Sequence, residues 1–220
     1  MKIEKVNSKN FIEIISNEHA YILGLLWADG HVTFANNKSK TPIIKHSSKE
    51  EDNNTFKEIL LSTGNWNSFI TENVGSFSKR KRNICVNWTS NRNLGEFLIK
   101  NGYREKTKSP KKLINKLNNV QKEFWFRGFF DGDGSVSIKH KGHHSVTFTG
   151  HKNQDWGFII NLFNEIGIEN YKHRIISSRM AFSSQIRITN KKDIQKFYNY
   201  LYNSEPNIGL KRKREKFMLL

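Results

Sequence analysis

The feature that most limits how this chain can fold is an internal repeat with a period of about a hundred residues. "YILGLLWADGHV" (21–32) and "WFRGFFDGDGSV" (125–136) superpose without a gap, placing Gly24 on Gly128, Asp29 on Asp133 and Gly30 on Gly134. Further on, "SKEEDNNTFKEILLSTG" (48–64) lies over "HKNQDWGFIINLFNEIG" (151–167). "VNWTSNRNLGEFL" (86–98) then lies over "IRITNKKDIQKFY" (186–198), pairing Thr89 with Thr189 and Phe97 with Phe197. Three matches in one order make the chain two tandem copies of a single module.

Each copy reads as the same run of elements. Ile22, Leu25 and Leu26, and in the second copy Trp125 and Phe129, recur at helical spacing, and the glycine after the last aspartate stops each helix. Two short strands follow, then a second helix over 50–63 or 153–166 closed by Gly64 or Gly167, then two more strands. Ser90 and Asn190 are placed to cap a last short helix. The expectation is an α+β protein of two pseudo-symmetric αββαββα modules, each a four-stranded antiparallel sheet with helices on one face. Residues 1–105 make the first module and 124–220 the second; 106–123, broken by Pro110, form a polar, mostly helical connector.

Charge narrows the function. The 220 residues carry 37 basic against 20 acidic side chains, a net charge of +17. So large a single-sign field exceeds what solubility needs and points to a polyanion, above all nucleic acid. The single cysteine, Cys85, rules out an intramolecular disulfide and a multi-cysteine zinc site. "MKIEKVNSKNFIEII" lacks the apolar core of a signal peptide and no apolar run is long enough to span a bilayer, so an intracellular protein, free of membranes, is expected.

Three chemistries use an Asp-Gly pattern such as "FFDGDGSVSI". A calcium loop needs glycine at its sixth position and glutamate at its twelfth, and this chain has Val136 and Gly142 there. A phosphatase of the haloacid dehalogenase type would use Asp131 as nucleophile, yet the first copy has Trp27 at that place. The third reading starts from what is duplicated. Gly24 with Ala28, and Gly128 with Gly132, give each helix a small-residue groove through which two backbones can meet. Asp29 and Asp133 would then converge at two helix C-termini, where the dipole is negative and a divalent cation between them is favourable. Mg²⁺, with Mn²⁺ as substitute, suits such hard oxygen ligands.

Both motifs, "LGLLWADG" and "RGFFDGDG", resemble the LAGLIDADG signature of homing endonucleases in its single-chain, two-copy form, and the resemblance covers nearly the whole chain. It departs at Trp27, where the signature has aspartate. The resemblance implies a two-helix LAGLIDADG interface, a saddle of two sheets over double-stranded DNA, and metal-dependent cleavage of both strands leaving 3′ overhangs. It assigns Asp29 and Asp133 to the metal. It also implies a basic residue from each half near the cleavage centre: Lys106, 77 residues after Asp29, and Lys211, 78 after Asp133, with Lys108 and Lys213 as neighbours able to take the place. A chain with both motifs acts as a monomer.

On the same reading one face of each sheet lies along the major groove. Lys45, Lys79, Arg80, Lys81 and Arg82 in the first half, and Lys139, His140, Lys141, Arg174, Arg179, Gln185 and Arg187 in the second, are the candidates for DNA contact. "KHKGHH" does not make a zinc site, because adjacent strand histidines point to opposite faces. The rival function is a non-cleaving binder on the same fold, an RNA maturase acting on intron RNA or a DNA-binding regulator. Retention of both aspartates favours the endonuclease.

Overall fold

The computed structural model describes residues 16–34, 41–74, 81–138, 144–177, 182–204 and 207–219. The first module runs α1 (Asn17–Asp29), β1 (Gly30–Phe34), β2 (Pro42–Lys49), α2 (Glu50–Leu61), β3 (Asn67–Val74), β4 (Lys81–Thr89) and α3 (Arg92–Lys100). A four-residue helix, α4 (Lys111–Ile114), lies in the connector. The second module repeats the series as α5 (Asn119–Asp133), β5 (Gly134–Ile138), β6 (His144–His151), α6 (Gly157–Glu165), β7 (Tyr171–Ser177), β8 (Phe182–Ile188) and α7 (Lys191–Tyr202). A final helix, α8 (Lys211–Met218), follows. The sheets have identical topology, β1-β2-β4-β3 and β5-β6-β8-β7, and every neighbouring pair is antiparallel.

Helices α1 and α5 pack against each other at the centre. Both are buried almost all round, Tyr21 to Trp27 in one and Glu123 to Asp131 in the other, as helices covered on every side must be. Ser16 caps α1 by accepting the His19 N–H, and Asn118 with Gln121 forms a reciprocal capping box on α5. Each central helix passes straight into an edge strand of its own sheet, at Asp29–Gly30 and Asp133–Gly134.

Several details depart from the sequence reading. The glycines that end α1 and α5 have ordinary extended backbone, with φ −77° and −82°, so they are not left-handed stops. Glycine is needed for close approach: a Cβ at Gly30 would lie 2.4 Å from the Leu26 carbonyl oxygen, and one at Gly134 2.0 Å from the Phe130 ring. The connector is helical over half its length, in the single turn of α4 and in the start of α5 at Asn119, with turns and extended chain between. The C-terminal basic run forms α8, which buries Phe217 and Lys213. Asn91, not Ser90, caps α3, its side chain accepting the Leu94 N–H.

That one-residue difference carries into the sheet. Gly30 faces His46, which faces Asn87; Gly134 faces Phe148, which faces Ile186. Asn87 therefore corresponds to Ile186, and Val86 to Gln185. Laying Val86 on Ile186, as the sequence alignment did, puts every β4 side chain on the wrong face, because strand side chains alternate with period two.

Candidate active site

The small residues of α1 and α5 sit at the point of backbone contact. A Cβ on Gly24 would stand 1.9 Å from the Trp125 carbonyl oxygen, and one on Gly128 2.0 Å from that of Tyr21. One turn on, a Cβ on Gly132 would meet the Ala28 methyl at 2.3 Å and Asp29 Oδ2 at 3.0 Å. The last contact shows where the interface delivers its acids: the Asp29 carboxylate lies against the backbone of the opposite helix, one residue before Asp133.

Asp29 and Asp133 are the final residues of the two helices. Each carboxyl is held above its usual range. Burial raises Asp133 to about 7, the negative charge of Asp29 adds to the rise, and Lys106 and Lys213 oppose it. Asp29 keeps an open side to solvent, yet crowding by protein on its other sides pushes its carboxyl up against the pull of Lys213 and Lys106. A site that resists holding two negative charges is one a divalent cation would stabilise. Among the described residues no third His, Cys, Asp or Glu joins the pair, so the donor set is two carboxylates, with water and phosphate oxygens left to complete a hard cation's shell.

Two lysines complete the centre. Lys106 Nζ donates to the carbonyl oxygens of Leu26 (3.3 Å), Ala28 (3.0 Å) and Gly30. Lys213 Nζ donates to those of Phe130 (2.8 Å), Asp131 (2.6 Å) and Gly134 (2.7 Å). The Leu26 and Phe130 carbonyls also accept the Gly30 and Gly134 N–H groups that close each helix, and a cation there complements the negative dipole end. Burial lowers both ammonium groups, Lys213 to about 8, while the neighbouring aspartates pull them back up.

In the second half the structure brings Lys213, the alternative the sequence offered, and not Lys211 to these helix ends. Lys211 is exposed and lies 3.6 Å from Glu215 in an ion pair, and Lys108 pairs with Glu105 in solvent. The informative signal was a second pentapeptide repeat, "GYREK" (102–106) against "GLKRK" (209–213). Gly102 and Gly209 both take a left-handed backbone, with φ +88° and +113°, and each lysine follows its glycine by four residues.

Asp131 supports the centre without joining the acid pair: its charge is the largest of those that raise Lys213. Its Oδ2 accepts the Tyr21 hydroxyl at 2.7 Å and the Leu210 N–H at 2.8 Å, deep in the protein. Its counterpart Trp27 packs edge-on to Tyr103, with ring centroids 4.9 Å apart.

Residues opposite one another in an antiparallel pair share a face. On the sheet face turned away from the helices, the first module places Lys45 opposite Trp88, and Arg82 lies on the same face of β4. Lys81, one residue earlier, is on the other face and is bound to Glu72 at 3.0 Å. The second module brings Arg174 opposite Gln185 and Arg187 opposite Lys172 and Thr147 on its open face. His31 and Lys172 share these faces, and both escaped the sequence reading. Lys79, Arg80, Lys139, His140, Lys141 and Arg179 lie outside the described residues. No described helix is long and apolar enough to cross a membrane.

Comparison with known proteins fits this arrangement. The family model of the LAGLIDADG-like domain matches residues 119–202, from the start of α5 to the end of α7. The chain is similar to the homing endonuclease I-WcaI bound to its DNA recognition sequence, with 16% identity over 95% of this chain and 91% of that one, at a TM-score of 0.59. It is also similar to the I-LtrWI LAGLIDADG homing endonuclease bound to target DNA (16% identity, 92% and 89% coverage, TM-score 0.54). The complex of I-DmoI with DNA and Ca matches at 14% identity over 92% and 98% of the two chains, with a TM-score of 0.53. At such identities the likeness establishes the fold, two LAGLIDADG-type modules in one chain. No curated protein sequence matches.

Proposed function

We propose that this chain, whose residues 119–202 form a LAGLIDADG-like domain and whose two modules have the fold of single-chain homing endonucleases, is a site-specific endonuclease of double-stranded DNA. The observation that carries the reading is the meeting of Asp29 and Asp133 at the ends of two helices whose backbones touch. A binder without cleavage chemistry has no use for two crowded carboxylates, which here repel each other. That favours the nuclease over a maturase or regulator on the same fold.

Asp29 and Asp133 would hold Mg²⁺, or Mn²⁺ in its place, since two carboxylates without thiolate or imidazole suit a hard cation that keeps waters and phosphate oxygens. Bound there, the cation supplies Lewis acidity toward a phosphate and a more acidic water. The chain itself adds one lysine per half, Lys106 and Lys213, on the helix ends that carry the aspartates. With their N–H groups engaged by carbonyls, both contribute a fixed positive charge near the charge that develops on a phosphoryl group in transition. The resemblance to LAGLIDADG homing endonucleases implies that one centre serves both strands of the duplex and leaves 3′ overhangs. The two sheets carry different side chains, so the target is long and only partly symmetric. We assign residues 1–105 and 124–220 to the two modules of a monomer that acts on intracellular DNA, with 106–123 as their link.

Incubating the full chain with a randomised duplex library and Mg²⁺, then sequencing the ends produced, tests this directly. One defined cut sequence is expected. Asp29→Asn and Asp133→Asn should each lower cleavage by orders of magnitude while keeping DNA affinity, because losing a ligand also removes repulsion from phosphate. Binding should weaken steeply with salt, by a log-log slope of about −0.9 per phosphate neutralised. Near-parental cutting by either aspartate variant would remove the pair from the active site.

A further inference from the structure

The two sheets present opposite chemistry at matching rungs. In the second module Arg174 stands opposite Gln185, and Arg187 is one rung away on the same face. The corresponding rungs of the first module hold Phe69 opposite Val86, with Trp88 in the place of Arg187. Three hydrogen-bonding side chains in one half are thus replaced in the other by two hydrocarbon ones and an indole, whose single N–H is its only polar group. Phe69 is 48% exposed, a large ring left in water on the open face that also bears Lys45 and Arg82. Arg187 Nε is buried without a hydrogen-bond partner among the described residues.

Base edges in the major groove divide along the same line. Guanine offers O6 and N7 to arginine, adenine offers a donor and an acceptor to an amide, and the thymine methyl takes an apolar contact. Resting on the DNA-cleaving reading above, we infer that the two halves of the target differ in the bases read. Sheet β5–β8 takes guanines through Arg174 and Arg187 and adenine through Gln185, while sheet β1–β4, where Val86 is buried, takes thymines through Phe69 and Trp88. Strands β1 and β5 continue directly from Asp29 and Asp133, so these readers, on strands further out, act away from the cleaved phosphates. The chemistry also gives the target a direction, because a site bound the other way round would set Phe69 against guanine and leave Arg174 facing methyl groups.

Binding selection from a random duplex library, with the full chain and no divalent cation, provides the test. Guanines enriched in one half-site and thymines in the other are expected. Arg174→Ala, a change at an exposed position, should cut the guanine preference about tenfold and leave the other half unaltered. Replacing thymine by uracil in the other half removes only the methyl, and should weaken the parent several-fold but hardly affect Phe69→Ser. Phe69→Arg should create a new guanine preference there. A defined sequence that ignores uracil, or whose guanines respond to Phe69→Ser and not to Arg174→Ala, overturns the inference while sparing the endonuclease reading. Absence of any enriched sequence overturns both.

Discussion

At the same point of the central helix pair, the first module is apolar and the second is ionic. Leu23 and Trp27 occupy α1 where Arg127 and Asp131 occupy α5. Arg127 is wholly buried: its guanidinium donates to the carbonyls of Leu201 (2.5 Å), Ser204 (2.7 Å) and Ile208 (3.1 Å), and pairs with Glu123 at 2.6 Å. It also stands over the Phe124 ring, 4.3 Å from the centroid. Glu123 accepts from the N–H and hydroxyl of Ser204, and Asp131 ties down Leu210. The difference follows the length of chain each module must bring back to the helix ends that carry Asp29 and Asp133. From Asn91 to Gly102 the first module makes one helix and a turn, closed by Tyr103, whose hydroxyl donates to the Leu23 carbonyl. From Asn190 to Gly209 the second has a longer helix and a loop whose carbonyls need donors. A buried arginine collects them, and the loop is then stiff enough to aim Lys213. Equivalent lysines reach equivalent carbonyls by different means.

Breaking the ionic side should cost most. Arg127→Leu copies the first module but leaves Glu123 buried and unpaired and three carbonyls without donors. A loss of about 3–5 kcal/mol is expected in urea unfolding, part of it regained by adding Glu123→Gln. A parental midpoint for the single variant would show that this network does not hold the second module.

The helix contact is where the halves are alike, so Gly24→Val and Gly128→Val should cost about the same, roughly 3 kcal/mol each, since each Cβ meets a backbone carbonyl. Cleavage should fall with stability as Asp29 and Asp133 are forced apart. Thermal melts and nicking rates for the pair decide; a variant that melts and cuts like the parent would refute backbone contact at that glycine.

A third comparison sets His46 against its counterpart Phe148. His46 is fully buried beside Phe56, neither ring nitrogen has a partner among the described residues, and burial, with the charge of Lys106, lowers it to about 4. The unfolded chain binds the proton near pH 6.5 and the folded one does not. Stability due to the neutral ring is therefore complete above pH 6.5 and is lost as pH falls toward 4. Between pH 8 and pH 5 the loss is about 2 kcal/mol. His46→Phe should flatten that part of the profile, and an unchanged slope would show that His46 is not its source.

The smallest effect is expected at the bond between modules. Arg212 grips Asp52 with both carboxylate oxygens, at 2.7 and 2.5 Å. Elsewhere the Tyr21 hydroxyl donates to Asp131 across the halves, and the second module meets the connector through the Asp155 N–H to Thr107 and the Gln154 amide to Lys106. Arg212 is partly exposed, so Arg212→Ala should cost about 1–2 kcal/mol. If the melt of that variant splits into two transitions, the modules depend on this pair more than their shared helix interface implies.

Much of the molecule was legible in the residues alone, because its signals are local or periodic. Helical spacing marked α1 and α5, glycine and alanine at four-residue intervals marked the face through which they meet, and the duplicated Asp-Gly marked where both helices end. Repetition turned each into a pair, and a pair of acids at paired helix ends already implies a centre. What only tertiary structure decided lay at two kinds of position. A strand side chain changes face with a one-residue shift, so an alignment laying Val86 on Ile186 rather than Gln185 hid the contrast between the sheets. A lysine reaches several ångströms on a flexible stem, so counting residues from Asp133 could not choose between Lys211 and Lys213. The turn at Gly209 and the buried guanidinium of Arg127 made that choice, through contacts between residues more than seventy positions apart.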